Sequence, residues 1–128
     1  MTGCDKQSSG RVTRSSEIPY LGNLLPTNLK LTDIQYHSYE ATGEVLMRAK
    51  AGEEEFDRIV AHWNADAVKY KEGFKYTGSV PSGIFRPPNG HVYAATCAVP
   101  AASRQSGWVY FEPSADAGEG TLYVHLTR

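Results

Sequence analysis

The sequence predicts an α+β domain, in which an antiparallel sheet of about five strands carries one amphipathic helix packed on one face. Two segments whose side chains alternate between the two faces of a strand come first, joined by a turn that contains a glycine. One segment with apolar residues at helical spacing follows. Three further segments with strand-like alternation end the chain. A helix with one apolar stripe needs one sheet face to cover it. The pattern therefore predicts a hairpin, a helix and a three-stranded meander around one core.

The first two predicted strands form the hairpin. Along residues 29–39 and residues 44–50, successive side chains fall on opposite faces of the strand, and the second strand has one apolar face, Val45, Met47 and Ala49, that can be buried. The segment between them, residues 40–43, ends in Gly43, which tolerates the positive φ that tight turns require. We therefore predict two neighbouring antiparallel strands.

The segment after Gly52 has the clearest helical pattern. Gly52 suits the N-cap, and the three glutamates that follow it lie where the positive end of the helix dipole favours carboxylates. We predict that the helix stops between Asn64 and Tyr70, with Glu54 and Arg58 as an exposed i,i+4 pair. The apolar stripe consists of Phe56, Ile59, Val60, Trp63 and Ala67.

The second half of the chain predicts three more strands, over residues 91–99, 108–112 and 121–127, with turn-forming residues between them. Before them, residues 69–90 contain four glycines and three prolines, which leaves room only for short strands such as residues 74–76. A long irregular segment in a compact domain is often functional.

The length, net charge and cysteine count of the chain exclude several classes of protein. The chain has 128 residues, which is typical of one domain. Its net charge of -1 and isoelectric point near 6.4 argue against a nucleic-acid-binding protein, which is usually strongly basic. Two cysteines are too few for a disulfide framework. No apolar run approaches the roughly 18 residues that a transmembrane helix needs.

The first four residues, Met1-Thr2-Gly3-Cys4, form the most specific short motif. Small residues directly before a cysteine resemble the end of a lipobox, the signal of bacterial lipoproteins. The resemblance implies that a signal peptide is removed, that Cys4 becomes the first residue of the mature protein, and that Cys4 carries lipid, including palmitate. It further implies a protein of the bacterial cell envelope, held by its lipid in a membrane and facing the periplasm or the cell exterior.

The residues after this motif predict a tether. Residues 5–17 contain one apolar residue, Val12. Such a segment buries too little apolar surface to offset the entropy of ordering it, so we expect it to be flexible. The predicted organisation is a lipobox remnant and tether over residues 1–17, followed by one globular α+β domain over residues 18–128.

Residues that commonly perform catalysis or bind metals do not form a known motif. The histidines lack the spacings that hold a metal, and we predict no metal and no cofactor. His37 and His125 would meet on the sheet face opposite the helix if their strands were neighbours. Cys97 lies within an apolar strand, which is typical of a small buried residue and not of a catalytic thiol. We therefore predict no catalytic residue.

One segment predicts a binding surface. Residues 69–76 interleave three lysines with three aromatic residues and one glutamate, so the local charge is 3 − 1 = +2. Such a surface suits an acidic protein, anionic lipid headgroups or another polyanion; alternatively, the aromatic rings pack inward while the lysines stay in water. Phe85 and Arg86 follow and suit an interface anchor. The predicted binding residues are Lys69, Tyr70, Lys71, Phe74, Lys75, Tyr76, Phe85 and Arg86.

These observations favour a lipid-anchored extracytoplasmic protein that binds a protein partner, as an accessory subunit or an inhibitor, and that is not an enzyme. Two alternatives stay open. One is a small hydrolase whose histidine and carboxylate residues are brought together by the fold. The other is a cytoplasmic α+β binding domain, if Met1 is the native start.

Overall fold

The residues that the structure describes form one antiparallel sheet of seven strands with a single α-helix, in a computed structural model. The described residues are 7–18, 24–39, 42–78, 80, 83–98, 106–114 and 119–127. The strands are β1 (Gln7–Val12), β2 (Thr32–Tyr39), β3 (Glu44–Gly52), β4 (Ala67–Phe74), β5 (Gly90–Ala98), β6 (Ser106–Pro113) and β7 (Glu119–Thr127). The helix α1 (Glu53–Trp63) lies between β3 and β4, and short 3-10 turns cover Ser15–Glu17 and Gly83–Phe85. The α+β class is confirmed.

The strand order is β1-β2-β3-β7-β6-β5-β4, and every neighbouring pair is antiparallel. Because direction alternates along this order, β3 and β4 run the same way although three strands separate them. Parallel strands need a crossover connection, and α1 provides it. The helix therefore lies across the sheet between two meanders, one of three strands and one of four.

The number of strands differs from the prediction, because the sheet has seven described strands and not five. The additional strands are β1 and β4, the two edges of the sheet. Residues 7–12 fall within the segment for which we expected a flexible tether, but the backbone of these residues pairs with β2. Most of the β4 side chains are exposed. Edge strands of this kind are held by backbone hydrogen bonds to one neighbour, so they lack the apolar alternation on which the prediction relied.

The helix begins and ends close to the predicted residues, but Ala67, predicted as the last residue of its apolar stripe, is instead the exposed first residue of β4. Gly52 is the N-cap in extended conformation, and Asn64 ends the helix with a left-handed φ of 52°. The predicted pair of Glu54 with Arg58 is wrong. Arg58 instead donates to Glu55 at 3.2 Å, and the buried carboxylate of Glu55 also accepts the backbone N–H of Lys30 at 2.9 Å.

One face of the sheet, here called the helix face, forms the main core with α1. Trp63 of α1 lies over Gly107 of β6, where an added Cβ would come within 2.9 Å of the indole ring. The apolar side chains of this face are fully or almost fully buried. They are Val45, Met47, Val109, Phe111, Leu122, Val124 and Leu126, packed with Phe56, Ile59 and Trp63 of the helix.

The opposite face, here called the second face, is covered by the segment between β4 and β5. Leu46, Val92 and Tyr123 are buried although they alternate with helix-face residues along their strands. Phe85 and Pro87 of the connecting segment are also buried, and the 3-10 turn that contains Phe85 contacts β3. A loop therefore covers the second face in the place that a second helix layer would occupy.

Candidate binding site

A cavity of about 300 Å³ opens on the second face, between strands β6 and β7 and the residues that follow β4. Other cavities among the described residues have volumes of about 180, 100 and 370 Å³, and no aromatic ring lines these. The second-face cavity, in contrast, is lined by Phe74, Lys75, Tyr76, Thr77, Gly78, Trp108, Tyr110 and His125. Ligand sites are typically apolar and aromatic with a few polar groups, which makes this cavity the candidate site.

The pairing of β6 with β7 positions the side chains that form one wall of the cavity. Trp108 of β6 is the cross-strand partner of His125 of β7, and their rings lie 5.4 Å apart between centroids. Tyr110 is two residues further along β6, so it points to the same face as Trp108. This wall is built on a central part of the sheet and is rigid.

Aromatic contacts continue from this wall into the segment after β4. The ring of Tyr110 lies 5.8 Å from Phe74 and 5.7 Å, edge to face, from Tyr76. Phe74 in turn contacts Tyr70 on β4 at 5.3 Å. Offset and edge-to-face pairs at these distances stabilise each other, so the four rings hold the segment against the sheet. The guanidinium of Arg86 lies 5.6 Å from the centre of the Tyr76 ring and adds a cation beside the cavity.

A histidine–carboxylate pair lies beside the cavity. His125 Nε2 and Glu44 Oε2 are 2.7 Å apart, and the side chains keep 15% and 28% of their surface exposed. Glu44 is the first residue of β3, next to the turn in which Gly43 has the predicted positive φ of 69°. The hydrogen bond fixes the orientation of the imidazole, and its ring packs against that of Trp108 with the two planes tilted by 37°.

Burial controls the ionisation of the tyrosines around this site. Removal from water raises the pKa of Tyr110 to about 12, and the nearby Tyr76 adds to the rise. The pKa values of Tyr76 and Tyr39 are also raised, first by burial and in addition by the negative charge of Glu44, while the Arg86 cation partly offsets the rise at Tyr76. The phenol groups therefore stay protonated at neutral pH, and the cavity presents neutral hydroxyls together with the cations of Lys75 and Arg86.

The structure divides seven of the eight predicted binding residues into two groups. Phe74, Lys75 and Tyr76 line the cavity, and Arg86 lies against it. Lys69, Tyr70 and Lys71 lie on β4 at the edge of the sheet and are exposed. Lys69 approaches Glu53 at 3.4 Å and lies 4.9 Å from the centre of the Tyr93 ring.

Phe85, which the sequence predicts as part of an interface anchor together with Arg86, is buried in the structure. Its side chain is only 5% exposed, because the 3-10 turn folds it onto the second face. The same loop leaves Ile84, one residue earlier, 48% exposed. Phe85 therefore holds the loop on the sheet, and Arg86 is the member of the predicted pair that is exposed.

The histidines and cysteines considered above as catalytic, metal-binding or lipidated residues do not form one site. His37 and His125 share the second face, but Leu46 of β3 lies between them, and His37 stacks on Tyr39 at 4.6 Å. Cys97 pairs in the backbone register of β5 and β6 with Gly107. Cys4, the predicted lipidation site, lies outside the described residues. Within the described ranges, no cluster of three metal-binding side chains occurs.

The predicted binding residues did not include Glu44 or five of the residues that line the cavity, namely Thr77, Gly78, Trp108, Tyr110 and His125. The alternation of the predicted strands already places Trp108 and Tyr110 on one face, and His125 on one face of the last strand. The pairing of β6 with β7 and of β7 with β3 was the missing information, because it brings these faces together with Glu44.

Fold and site together define an α+β protein with a half-covered sheet and an aromatic cavity. No family model matches the chain, and comparisons with curated proteins and with solved structures find no match. In the part of the chain that the structure describes, no helix has the length and apolar character needed to cross a bilayer.

Proposed function

We propose that this is a lipid-anchored binding protein of the bacterial cell envelope, in which the second-face cavity receives an anchoring side chain of a protein partner. The observation that carries the proposal is the aromatic cavity itself. Trp108, Tyr110 and Tyr76 give it walls that suit an apolar or aromatic side chain, and Lys75 supplies a cation at the opening. Buried aromatic pockets with a charged rim are typical of the few contacts that dominate protein interfaces.

The size of the cavity favours a side chain over a larger ligand. A volume of about 300 Å³ is at the lower end of the range of small-molecule sites, which runs to roughly 1,000 Å³. The cavity is also open to solvent on one side, because Lys75 and Thr77 are exposed. A group that projects from a larger surface therefore fits it well, with the cations of Lys75 and Arg86 placed to meet acidic residues around that group.

The cavity's polar chemistry favours binding over catalysis. Among the described residues, His125 pairs with Glu44, and no hydroxyl or thiol hydrogen-bonds to its ring. The raised pKa of Tyr110 makes its phenol a poor nucleophile at neutral pH. A hydrolase needs a nucleophile or an activated water beside its base, and no described hydroxyl or thiol is held against His125 in that role.

Side-chain mimics test the cavity directly. We expect N-acetyltryptophanamide to bind with a millimolar dissociation constant and to shift the indole N–H resonance of Trp108, while that of Trp63 in the core stays unchanged. The variant Thr77→Trp fills the opening and should abolish the shift. The control Thr32→Trp adds the same ring at an exposed position outside the cavity lining and should preserve it. Equal shifts at both tryptophans, or binding that survives Thr77→Trp, would contradict the proposal.

A photo-crosslinking residue at position 77 tests for the protein partner in cells of the source organism. Adducts of a defined mass should form at position 77 and not at position 32. If position 77 forms adducts only with water, although the cavity binds the tryptophan amide, the site takes a small molecule and not a protein.

The lipid anchor requires its own experiment. Palmitate fed to cells that express the full gene should label the protein, and Cys4→Ser should remove the label. Label that persists in Cys4→Ser would exclude the lipoprotein assignment, whereas the cavity experiments would be unaffected.

A small hydrolase is the second candidate, and the pair of His125 with Glu44 beside the cavity favours it. If His125 acts as a general base that Glu44 orients, ester hydrolysis should fall at least about 100-fold in His125→Gln and less in Glu44→Gln. Binding of the tryptophan amide should survive Glu44→Gln. Absence of measurable turnover in the wild-type protein over a panel of acyl esters would dismiss this candidate.

A further inference from the structure

β4 presents an open backbone edge. It is the last strand of the sheet, and it pairs with β5 on one side while no strand among the described residues pairs with the other. Every residue of β4 except Phe74 is exposed. An edge with free N–H and C=O groups is a template on which another extended chain can form hydrogen bonds.

The side chains of β4 differ between its two faces. Val68 and Tyr70 point to the second face, where their partners in β5 are Ala94 and Val92, and they are 50% and 38% exposed. They are two of the three large apolar residues that are exposed in the described part of the chain. Lys69 lies on the helix face opposite Tyr93, and Lys71 follows Tyr70 at the point where the pairing register with β5 shifts before Phe74.

We infer that β4 binds an extended segment of the protein partner by strand addition, with apolar side chains on the second face and acidic side chains on the helix face. The inference rests on the proposed function as a protein-binding module and specifies the partner's chemistry. An added strand would cover Val68 and Tyr70, and carboxylates opposite Lys71 would form cross-strand ion pairs. The aromatic contact of Tyr70 with Phe74 links this edge to the cavity.

The same charges disfavour a second copy of this chain as the occupant. In a symmetric antiparallel pair centred on Tyr70, Lys69 of each chain would face Lys71 of the other. Like charges directly opposite each other destabilise strand pairs. The lysines therefore select an acidic partner and act against self-association.

The opposite edge of the sheet provides an internal comparison. β1 (Gln7–Val12) exposes Ser9, Gly10 and Arg11, and the Arg11 guanidinium is 3.0 Å from Asp33. None of its described side chains is a large exposed apolar group. Peptide addition is therefore expected at β4 and not at β1.

An eight-residue peptide of alternating Glu and Val is the probe, and a peptide of alternating Lys and Val is its control. In the full protein, the Glu–Val peptide should slow amide hydrogen exchange on β4 and should bind more weakly at higher salt. Lys71→Glu should lower the affinity about tenfold and raise the affinity for the Lys–Val peptide. The control Lys50→Glu makes the same change of net charge at an exposed residue of β3 and should leave both affinities unchanged.

Proline variants test the backbone contribution separately from charge. Neighbouring N–H groups of a strand point to opposite sides, so one of Val68→Pro and Lys69→Pro removes a bond to β5 and the other removes an outward N–H. Thermal unfolding identifies the variant that keeps its stability, and that variant should lose peptide binding.

Three results would overturn the inference: protection that appears on β1 instead of β4, equal losses of affinity in Lys71→Glu and Lys50→Glu, or full binding by the stable proline variant. Thr77→Trp separates the two proposals. It should retain peptide binding at β4 even though it blocks the cavity, so failure at one site leaves the other interpretable.

Discussion

The two faces of the sheet are covered in different ways. On the helix face, the stripe of α1 packs Phe56 and Ile59 onto apolar side chains of the sheet, among them the Phe111 ring, and leaves neither exposed. On the second face, a glycine- and proline-containing loop covers part of the sheet with Phe85 and Pro87 and leaves a cavity beside Trp108. A regular helix buries a continuous stripe, whereas an irregular loop covers individual points, so open space between those points remains for a ligand.

Composition follows the same division. The helix face consists mainly of aliphatic side chains, which pack densely and carry no polar atoms that need partners. The second face carries tyrosine, tryptophan, histidine and glutamate, whose polar atoms remain near water. Stability is therefore expected to depend mainly on the helix face, and binding on the second face.

Truncation of an aromatic side chain to alanine should give the largest difference in stability between the two faces. Phe56→Ala removes a fully buried ring from the helix face and should destabilise the protein by about 3–5 kcal/mol. Phe74→Ala removes a ring that borders the cavity, so the loss should be smaller. Urea unfolding measures both free energies, and a larger loss in Phe74→Ala would show that the second face forms the main core.

A methyl group added to a glycine should give the second-largest difference in stability between the two faces. A Cβ at Gly120 of β7 would collide with the backbone carbonyl of Glu112 and with the Phe111 ring of the helix face, so Gly120→Ala should cost about 1–3 kcal/mol. Gly83, in the loop over the second face, has nothing within 4 Å of the added atom. Gly83→Ala should therefore change stability by less than about 0.5 kcal/mol. Equal effects in thermal unfolding would contradict the proposed difference in packing.

Alkaline titration tests the environment of the second face. Tyr110 in the folded protein has a pKa raised to about 12 from an ordinary value of 10.0, because burial disfavours the phenolate. The stability from this residue is therefore complete below pH 10 and decreases as the pH rises toward 12. Tyr110→Phe should reduce the alkaline loss of stability and remove the latest step in tyrosinate absorbance. A wild-type titration in which all tyrosines ionise near their ordinary value would contradict the burial of this ring.

Removal of an exposed charge should have the smallest effect on stability. Asp33 lies 3.0 Å from Arg11 and 3.7 Å from Lys50 on the second face, but all three side chains are more than half exposed. Asp33→Asn should cost less than about 0.5 kcal/mol, since asparagine tolerates the left-handed φ of 53° at this position. Urea unfolding in low and high salt checks this value, and a loss above 1 kcal/mol that persists in high salt would contradict it.

The parts of the fold that the sequence predicted are those with a periodic apolar pattern. The helix after Gly52, the turn at Gly43 and the central strands all bury side chains on one side, which leaves a period of 3.6 or 2 in the sequence. β1 and β4 have no such pattern, because backbone pairing at an edge places few demands on side chains. The buried position of Phe85 was not predictable either, since loop residues have no period that indicates their direction.

By itself, the sequence determined the α+β class, the helix and its core-facing stripe, and the basic aromatic segment at residues 69–76, because each depends on neighbours along the chain. Tertiary structure decided the seven-strand order, the division of that segment between a sheet edge and a cavity wall, and the pairing of His125 with Glu44, 81 residues apart. Cross-strand pairing sets these distances, and side-chain periodicity contains no information about which strands become neighbours.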